Sequence, residues 1–400
     1  MLDLQPDKNT SVFLDGHLDR SNWKRVRLGD ICSVKARIGW QGLKKSEYLD
    51  SGDYCLVSGT DFKNGFVDWE TCSFVSEWRY NQDRNIQLKN GDVLITKDGT
   101  IGKVAYVQGM TSPTTLNSGI FVIRPANDEL QPSFLQLIFK SRFFLEFLDR
   151  ITAGSTIVHL YQKDIVEFDF PLPNILEQLR IAHTIEIIDE HLLEIKHLIT
   201  KYEAIKKATV NLLLVPRKNW RQIRLGDIGE VSMCKRILKS QTSATGDVPF
   251  FKIGTFGKQP DAFISRTLFE DFKRRFSYPK VGDVLLSAAG TIGRTVVFNG
   301  ENAYFQDSNI VWIANDESII SNPFLNVVYS QINWQTENGG TVSRLYNANI
   351  QNTIVPIPDI GAQKRIVMIL DSLDDTIFGL KAQLAKSQAI KQGMMSHFFG

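Results

Sequence analysis

Residues 176–214 read LEQLRIAHTIEIIDEHLLEIKHLITKYEAIKKATVNLLL, and this stretch decides the architecture. Apolar side chains fall at Ile181, Ile185, Ile188, Leu192, Ile195, Ile199 and Tyr202, a 4-3-4-3-4-3 spacing that lines them along one seam of a helix. Residues 361–399 repeat the seam: moving the first six positions on by 185 gives Ile366, Leu370, Leu373, Ile377, Leu380 and Leu384. Glu, Lys and Gln fill much of the rest, as solvated helix faces do. One such helix leaves its seam in water. Two in one chain can bury it against each other, and an antiparallel pair needs no long return across the unit between them.

Outward from the helices, the rest of the chain is also written twice. Asn22-Trp23 returns as Asn219-Trp220, and Arg27-Leu28-Gly29-Asp30-Ile31 as Arg224-Leu225-Gly226-Asp227-Ile228, both 197 residues on. Gly59-Thr60 matches Gly254-Thr255 at 195. Gly91-Asp92-Val93-Leu94 and Gly99-Thr100-Ile101-Gly102 return at 191 as Gly282-Asp283-Val284-Leu285 and Gly290-Thr291-Ile292-Gly293. The GST…LY…I segment from Gly154 to Ile165 and the Pro171-Leu172-Pro173 turn return at 185. The offset only falls, so the second copy is the first with shortened loops.

The units between the helices read as α+β. Two β-branched runs flank Asp98-Gly99, a hairpin turn signal, and Ala289-Gly290 holds the same place in the second copy. Residues 132–148 predict one amphipathic helix, with a shorter counterpart over 323–333. The PLP and PIP segments stop each unit before its long helix. The expected organisation is a loose leader at 1–21, a first unit at 22–175, a helix at 176–215, a second unit at 216–360 and a helix at 361–400.

Composition bounds the function. Four hundred residues, 43% hydrophobic and 22% charged with a net charge of +2, describe a soluble multidomain protein that neither demands nor forbids a polyanion. The four cysteines show no paired spacing and no histidine at ligand distance, so a reducing, cytoplasmic setting without a metal site is expected. The first residues have no apolar signal core, and no run is long enough to span a bilayer.

Catalytic constellations are matched only weakly. Gly102-Lys103 is followed by Val104 and lacks the upstream glycine of a phosphate loop. Asn322-Pro323-Phe324 resembles the start of an amino-methyltransferase motif, but it reads better as proline opening a helix. Pro260-Asp261 with Asp271-Phe272-Lys273 fits the outline of a metal-dependent nuclease, yet residues 268–276 read as a helix where a nuclease core needs a strand. The expectation is no catalysis and no cofactor in this chain.

Binding is the stronger signal. Polar loops recur beside the glycines at matching places in both units, and their side chains are of the kinds that read base edges and hold phosphates. In the first unit the candidate DNA-binding residues are Ser58, Thr60, Lys97, Asp98, Thr100, Asn117, Ser118, Ser155, Thr156, His159, Tyr161 and Lys163. In the second they are Lys252, Thr255, Thr291, Asp307, Ser308, Asn309, Thr341, Arg344, Tyr346 and Asn347. Where the copies agree, scaffold is the expected cause. Where they differ, as in Lys97-Asp98 against Ala288-Ala289 or His159 against Arg344, the units can read different things. The apolar helix ends, Leu212, Leu213 and Leu214 with Met394, Met395, Phe398 and Phe399, are candidate docking surfaces.

This duplicated order of motifs resembles the specificity subunit of a Type I restriction–modification system over about residues 22–400. The carrying features are Trp-x3-Arg-Leu-Gly-Asp-Ile opening each half, GDVL…GTIG, the GST or GGT…LY…I segment, and PLPNILEQLRIA or PIPDIGAQKRIV leading into each helix. The resemblance implies two target-recognition domains separated by an antiparallel two-helix coiled coil, each domain reading one half of a bipartite site in double-stranded DNA. It also implies two docked methyltransferase subunits and nuclease/translocase subunits, which would carry S-adenosylmethionine, ATP and Mg²⁺. Two rivals stand beside it: a stand-alone nuclease or methyltransferase with a fused recognition region, and a coiled-coil adaptor that binds no DNA.

Overall fold

The structure is a computed structural model that describes residues 20–152, 159–334 and 344–400. The chain forms two compact units. The first comprises the described residues up to Lys196 together with Gln383–Gly400, and the second is His197–Ala382. The boundaries fall inside the long helices, because part of each helix packs on each unit's core.

The first unit opens with β1 (Lys24–Arg27), α1 (Leu28–Ile31), β2 (Cys32–Ala36) and β3 (Tyr54–Val57). A small hairpin, β4 (Phe62–Lys63) and β5 (Phe66–Val67), precedes β6 (Ser73–Val75) and α2 (Glu77–Asn81). Then come β7 (Val93–Thr96), β8 (Val104–Tyr106), β9 (Thr114–Leu116) and β10 (Ile120–Pro125). Helices α3 (Pro132–Phe139), α4 (Arg142–Thr152) and α5 (Gln162–Ile165) lead to β11 (Asp169–Leu172) and the long α6 (Ile175–Leu213). The main sheet runs β2-β10-β7-β8-β5-β4, a second runs β6-β3-β9, and β1 pairs with β11.

The second unit rebuilds this plan. It contains β12 (Arg221–Arg224), β13 (Val231–Ser232), β14 (Val248–Phe251), β15 (Phe263–Ile264) and α7 (Arg266–Arg275). These are followed by β16 (Val284–Ser287), β17 (Thr295–Val297), β18 (Tyr304–Phe305), β19 (Ile310–Ile313) and α8 (Asn322–Tyr329), then α9 (Asn347–Asn352), β20 (Ile354–Ile357) and the long α10 (Ile360–Phe399). Its sheets, β13-β19-β16-β17, β15-β14-β18 and β12-β20, match the first unit strand for strand without the β4–β5 hairpin. The parallel pairing recurs too, β3 with β9 and β14 with β18.

The strings that repeat are scaffold. Leu28 and Leu225 are fully buried, and their amides donate to the carbonyls of Phe168 and Thr353 at 2.8 and 2.9 Å. A Cβ on Gly29 would lie 2.9 Å from Val166 Cβ, and one on Gly226 would lie 3.1 Å from Gln351 Cβ, so the glycine permits the close approach of chain there.

Two local expectations are corrected. The pairing Ile95↔Val104 makes the β7–β8 connection residues 97–103, longer than a two-residue turn at Asp98-Gly99. A side chain braces it: Thr96 Oγ1 donates to the Thr100 carbonyl at 2.5 Å and accepts from the Lys103 amide at 2.9 Å. Ser287 braces the second loop in the same way, to Thr291 at 2.6 Å and from Arg294 at 2.9 Å. The helix expected over 132–148 is two helices, because the chain turns at Lys140-Ser141 and the buried Ser141 hydroxyl bonds back to Ile138 O at 2.6 Å.

Eight of the thirteen seam positions are buried, and Ile188, Tyr202, Leu373, Leu380 and Leu384 are half-buried. Ile181, Ile185, Leu192, Ile195 and Ile199 on α6, and Ile366, Leu370 and Ile377 on α10, are all buried. Each such side chain is worth about 1.5–3 kcal/mol when taken from water. Within the first unit Asp189 pairs with Lys391 and His191 meets Gln383; within the second Glu203 pairs with Lys381 and Lys206 with Asp374. In each unit the α10 number falls as the α6 number rises, so the helices run antiparallel.

Of the helix-end docking candidates, Phe399 is corrected because it is buried, whereas Leu212 is exposed. Phe399 is 1% exposed in the first unit's core, its ring 5.8 Å from that of Phe134, with Met394, Met395 and Phe398 packed beside it. Leu213 and Leu214 pack on the second core, while Leu212 stays 72% exposed. Phe399 is therefore an anchor covered by its own chain.

Candidate nucleic-acid interface

Four loops converge in the first unit. The Lys97 amide donates to Gly119 O at 2.9 Å, Leu160 to Lys97 O at 3.0 Å, and Asn117 to Val57 O at 3.0 Å. A Cβ on Gly59 would touch Thr96 Cγ2 at 2.8 Å, so the loop at 58–61 lies against the base of the 97–103 loop. The second unit repeats these bonds: Ala288 to Asn309 O at 2.8 Å, Leu345 to Ala288 O at 2.8 Å, and Gln306 to Phe251 O at 2.9 Å. Residues far apart in each half are thus brought together by backbone bonds common to both units, whatever side chains they carry.

They do differ. In the first unit the His159 imidazole pairs through Nδ1 with the Asp98 carboxylate and lies 4.4 Å from the Tyr161 ring, over which Lys163 Nζ sits at 5.6 Å. Lys97 Nζ lies 5.5 Å from the Phe121 ring, and Thr100 is exposed. Ser118 is half-buried, and Asn117 is turned inward to accept from the Gly119 amide at 3.0 Å. Ser58 and Thr60 are engaged locally, their hydroxyls 2.6 Å apart beside buried Asp61. Ser155 and Thr156 lie outside the described residues, as does Thr341 in the second unit.

In the second unit Ala289 stands where Asp98 stands, and Arg344 where His159 does. Arg344 reaches the Ser308 carbonyl at 3.0 Å, holding a residue whose φ is +54°. Asp307 accepts from Arg236 at 2.8 Å, and Asn309 caps the same turn through its backbone. Lys252 pairs with Asp261 at 2.9 Å, Thr255 hydrogen-bonds the Lys252 amide at 3.2 Å, and Thr291, Tyr346 and Asn347 are exposed. The Asp271 and Lys273 of the nuclease outline lie on helix α7. Among the described residues no group of three His, Cys, Asp or Glu side chains is placed to hold a metal ion.

Sequence reasoning missed the supports. Arg37 is 1% exposed and donates to Leu116 O at 2.8 Å and Thr115 Oγ1 at 3.1 Å, fixing the strand that enters the 117–119 loop. Burial, then nearby Arg79, lowers the pKa of its guanidinium. Cys234 occupies this place in the second unit, its thiol pushed up to about 12 by burial. No spacing rule marks a lone arginine as buried, so only the difference between the repeats, Arg37 against Cys234, carried a signal.

The sequence profile of the Type I restriction modification DNA specificity domain matches residues 20–207 and 217–391. The chain belongs to this family. It is 41% identical over 292 residues to a putative type I restriction enzyme specificity subunit of Haemophilus influenzae, covering 70% of this chain and 74% of that one. In fold it is similar to the crystal structure of a Type I restriction–modification S subunit from M. genitalium, with a TM-score of 0.59, 16% identity and coverage of 95% and 96%. It is likewise similar to HsdS from Thermoanaerobacter tengcongensis, with a TM-score of 0.51, 20% identity and coverage of 94% and 96%. The chain is thus a DNA-specificity subunit of the Type I class, the recognition component and not the catalytic one. No helix among the described residues is long and apolar enough to cross a membrane.

Proposed function

We propose that each unit of this specificity subunit reads one half of a bipartite, asymmetric DNA site through its own converging loops, and that the helix pair sets the gap between halves. The observation that carries this is the duplicated backbone frame with unlike side chains: His159 and Asp98 in one unit, Arg344 and Ala289 at the same places in the other. Two methyltransferase subunits would dock on exposed apolar positions of the helices such as Leu176, Leu212, Met368 and Phe378. Nuclease/translocase subunits would complete the complex. S-adenosylmethionine, ATP and Mg²⁺ would belong to those partners, and this chain would supply the address. Selection from a random duplex library with the chain and its methyltransferase partner tests the reading. Two short blocks separated by a fixed gap are expected; one contiguous block contradicts it.

A further inference from the structure

Beside the candidate reading loops of the second unit stands a basic ridge whose helix has a first-unit counterpart with a single cation. Lys235 and Arg236 follow β13, and α7 ends in Lys273, Arg274 and Arg275; all five are exposed. Lys235 Nζ and the Arg275 guanidinium both sit over the Phe276 ring, at 5.3 and 5.2 Å. Lys273 lies 5.1 Å from the Tyr278 ring. Arg236 links the ridge to the reading loop by its bond to Asp307 at 2.8 Å. The carboxylates within the ridge are Asp307, Glu270 and Asp271, the last bonded by Arg274 at 3.2 Å and Arg275 at 2.9 Å. Helix α7 thus carries Arg266 and three further cations against two acids.

The first unit's counterpart is built from the same start. Phe74-Val75-Ser76 matches Phe263-Ile264-Ser265, and each serine caps its helix, from the Arg79 amide at 3.4 Å and the Leu268 amide at 3.3 Å. Helix α2, however, reads EWRYN, and its one cation, Arg79, is turned to Glu47 at 2.6 Å. Ile38 and Gly39 stand where Lys235 and Arg236 stand. In the second unit Arg236 holds Asp307 and Arg274 and Arg275 share Asp271, while Lys235 and Lys273 rest over aromatic rings.

We propose that this ridge grips backbone phosphates beside the half-site read by the second unit, making that unit the chain's electrostatic anchor on DNA. The grip rests on the two-reader reading above. Exposed cations next to base-reading loops hold phosphates without reading sequence, and each such pairing releases a condensed counterion. The test is the variant K235Q/K273Q/R274Q/R275Q with Arg236 kept, in the assembled complex, titrated against its full duplex site from low to high salt. The slope of log K against log salt flattens by about 0.9 for each phosphate no longer held, and low-salt affinity falls roughly tenfold. Base preferences stay unchanged in both half-sites, and the charge-preserving variant K235R/K273R/R274K/R275K keeps the wild-type slope. An unchanged slope overturns the ridge and leaves the two readers standing. Altered base preference in the second half-site overturns the phosphate assignment. A wild-type complex with no site-specific binding overturns both readings.

Discussion

Both units place an acidic residue at the second position of the GDVL string, and they treat it oppositely. In the first, buried Asp92 receives Arg124 through two bonds of 2.7 Å and the Lys89 amide at 2.9 Å. In the second, Asp283 accepts the Lys280 amide at 2.7 Å, and Ala314, just after β19, stands where Arg124 lies in β10. Burial therefore pushes the Asp283 carboxyl above the usual carboxylate range. The amide-capped turn is what the fold requires; the ion pair is an addition of one unit. The candidate reading loops follow the same rule, with backbone bonds shared and side chains diverging.

The sharpest way to break this comparison is to unfold one unit and watch the other. Ile185→Asp places a charge in the first unit's core, and Leu370→Asp does so in the second. Each should cost several kcal/mol. Calorimetry should show one transition abolished and the other kept in each variant; disappearance of both from either change would make the units a single cooperative body.

Asp92→Asn comes next. It leaves Arg124 mostly buried beside a neutral partner, and about 3 kcal/mol should go, roughly 6–12 °C in Tm of the first transition. Asp283→Asn should do little at neutral pH, because asparagine keeps the acceptor for the Lys280 amide. Asp283 has a folded pKa above its unfolded value, so its contribution is present at low pH and is lost as pH rises through the folded pKa. The asparagine variant should therefore gain on wild type as pH rises from acid to neutral. Equal losses for Asp92→Asn and Asp283→Asn would show that the two carboxylates do the same job.

The fold was legible because its signals were local and doubled. The 3.5-residue seam, the LGDI and GDVL strings and the proline stops each recur at a fixed offset, and coincidence does not produce such order twice. The long helix expected over 132–148 failed because amphipathic spacing continues through Lys140-Ser141, while the break rests on a serine hydroxyl turned back on its own turn. The candidate reading loops were legible as loops, but their partners were not. That His159 meets Asp98, 61 residues away, follows from the backbone bond of Leu160 to Lys97 that no spacing announces. Phe399 reads as a docking residue because an aromatic at the end of an apolar helix looks unpartnered until the antiparallel pairing brings it to Phe134.

A smaller effect separates the units by pH. Lys140 lies with its ammonium 5.8 Å from the Phe66 ring, and burial first, then Lys391, lowers its pKa from 10.5 to about 8, with Asp189 opposing. The folded state binds fewer protons than the unfolded chain between those values, so the first unit's stability should rise with pH across that window. Lys140→Met should raise the first Tm by a few degrees at pH 7, with the gain shrinking toward pH 10.5. Thermal scans at both pH values check this, and the second transition should not respond.

Independent recognition of DNA by the two units, through homologous frames, is tested most directly by long-read mapping of methylated sites. The cells would carry the partner subunits and either His159→Ala or Arg344→Ala. A base-contacting residue should cost about 1–3 kcal/mol and relax one base position. The expected result is that His159→Ala degrades the consensus in one half-site only, that Arg344→Ala degrades the other only, and that the gap stays fixed in both. Changes in both half-sites from either single substitution would contradict it.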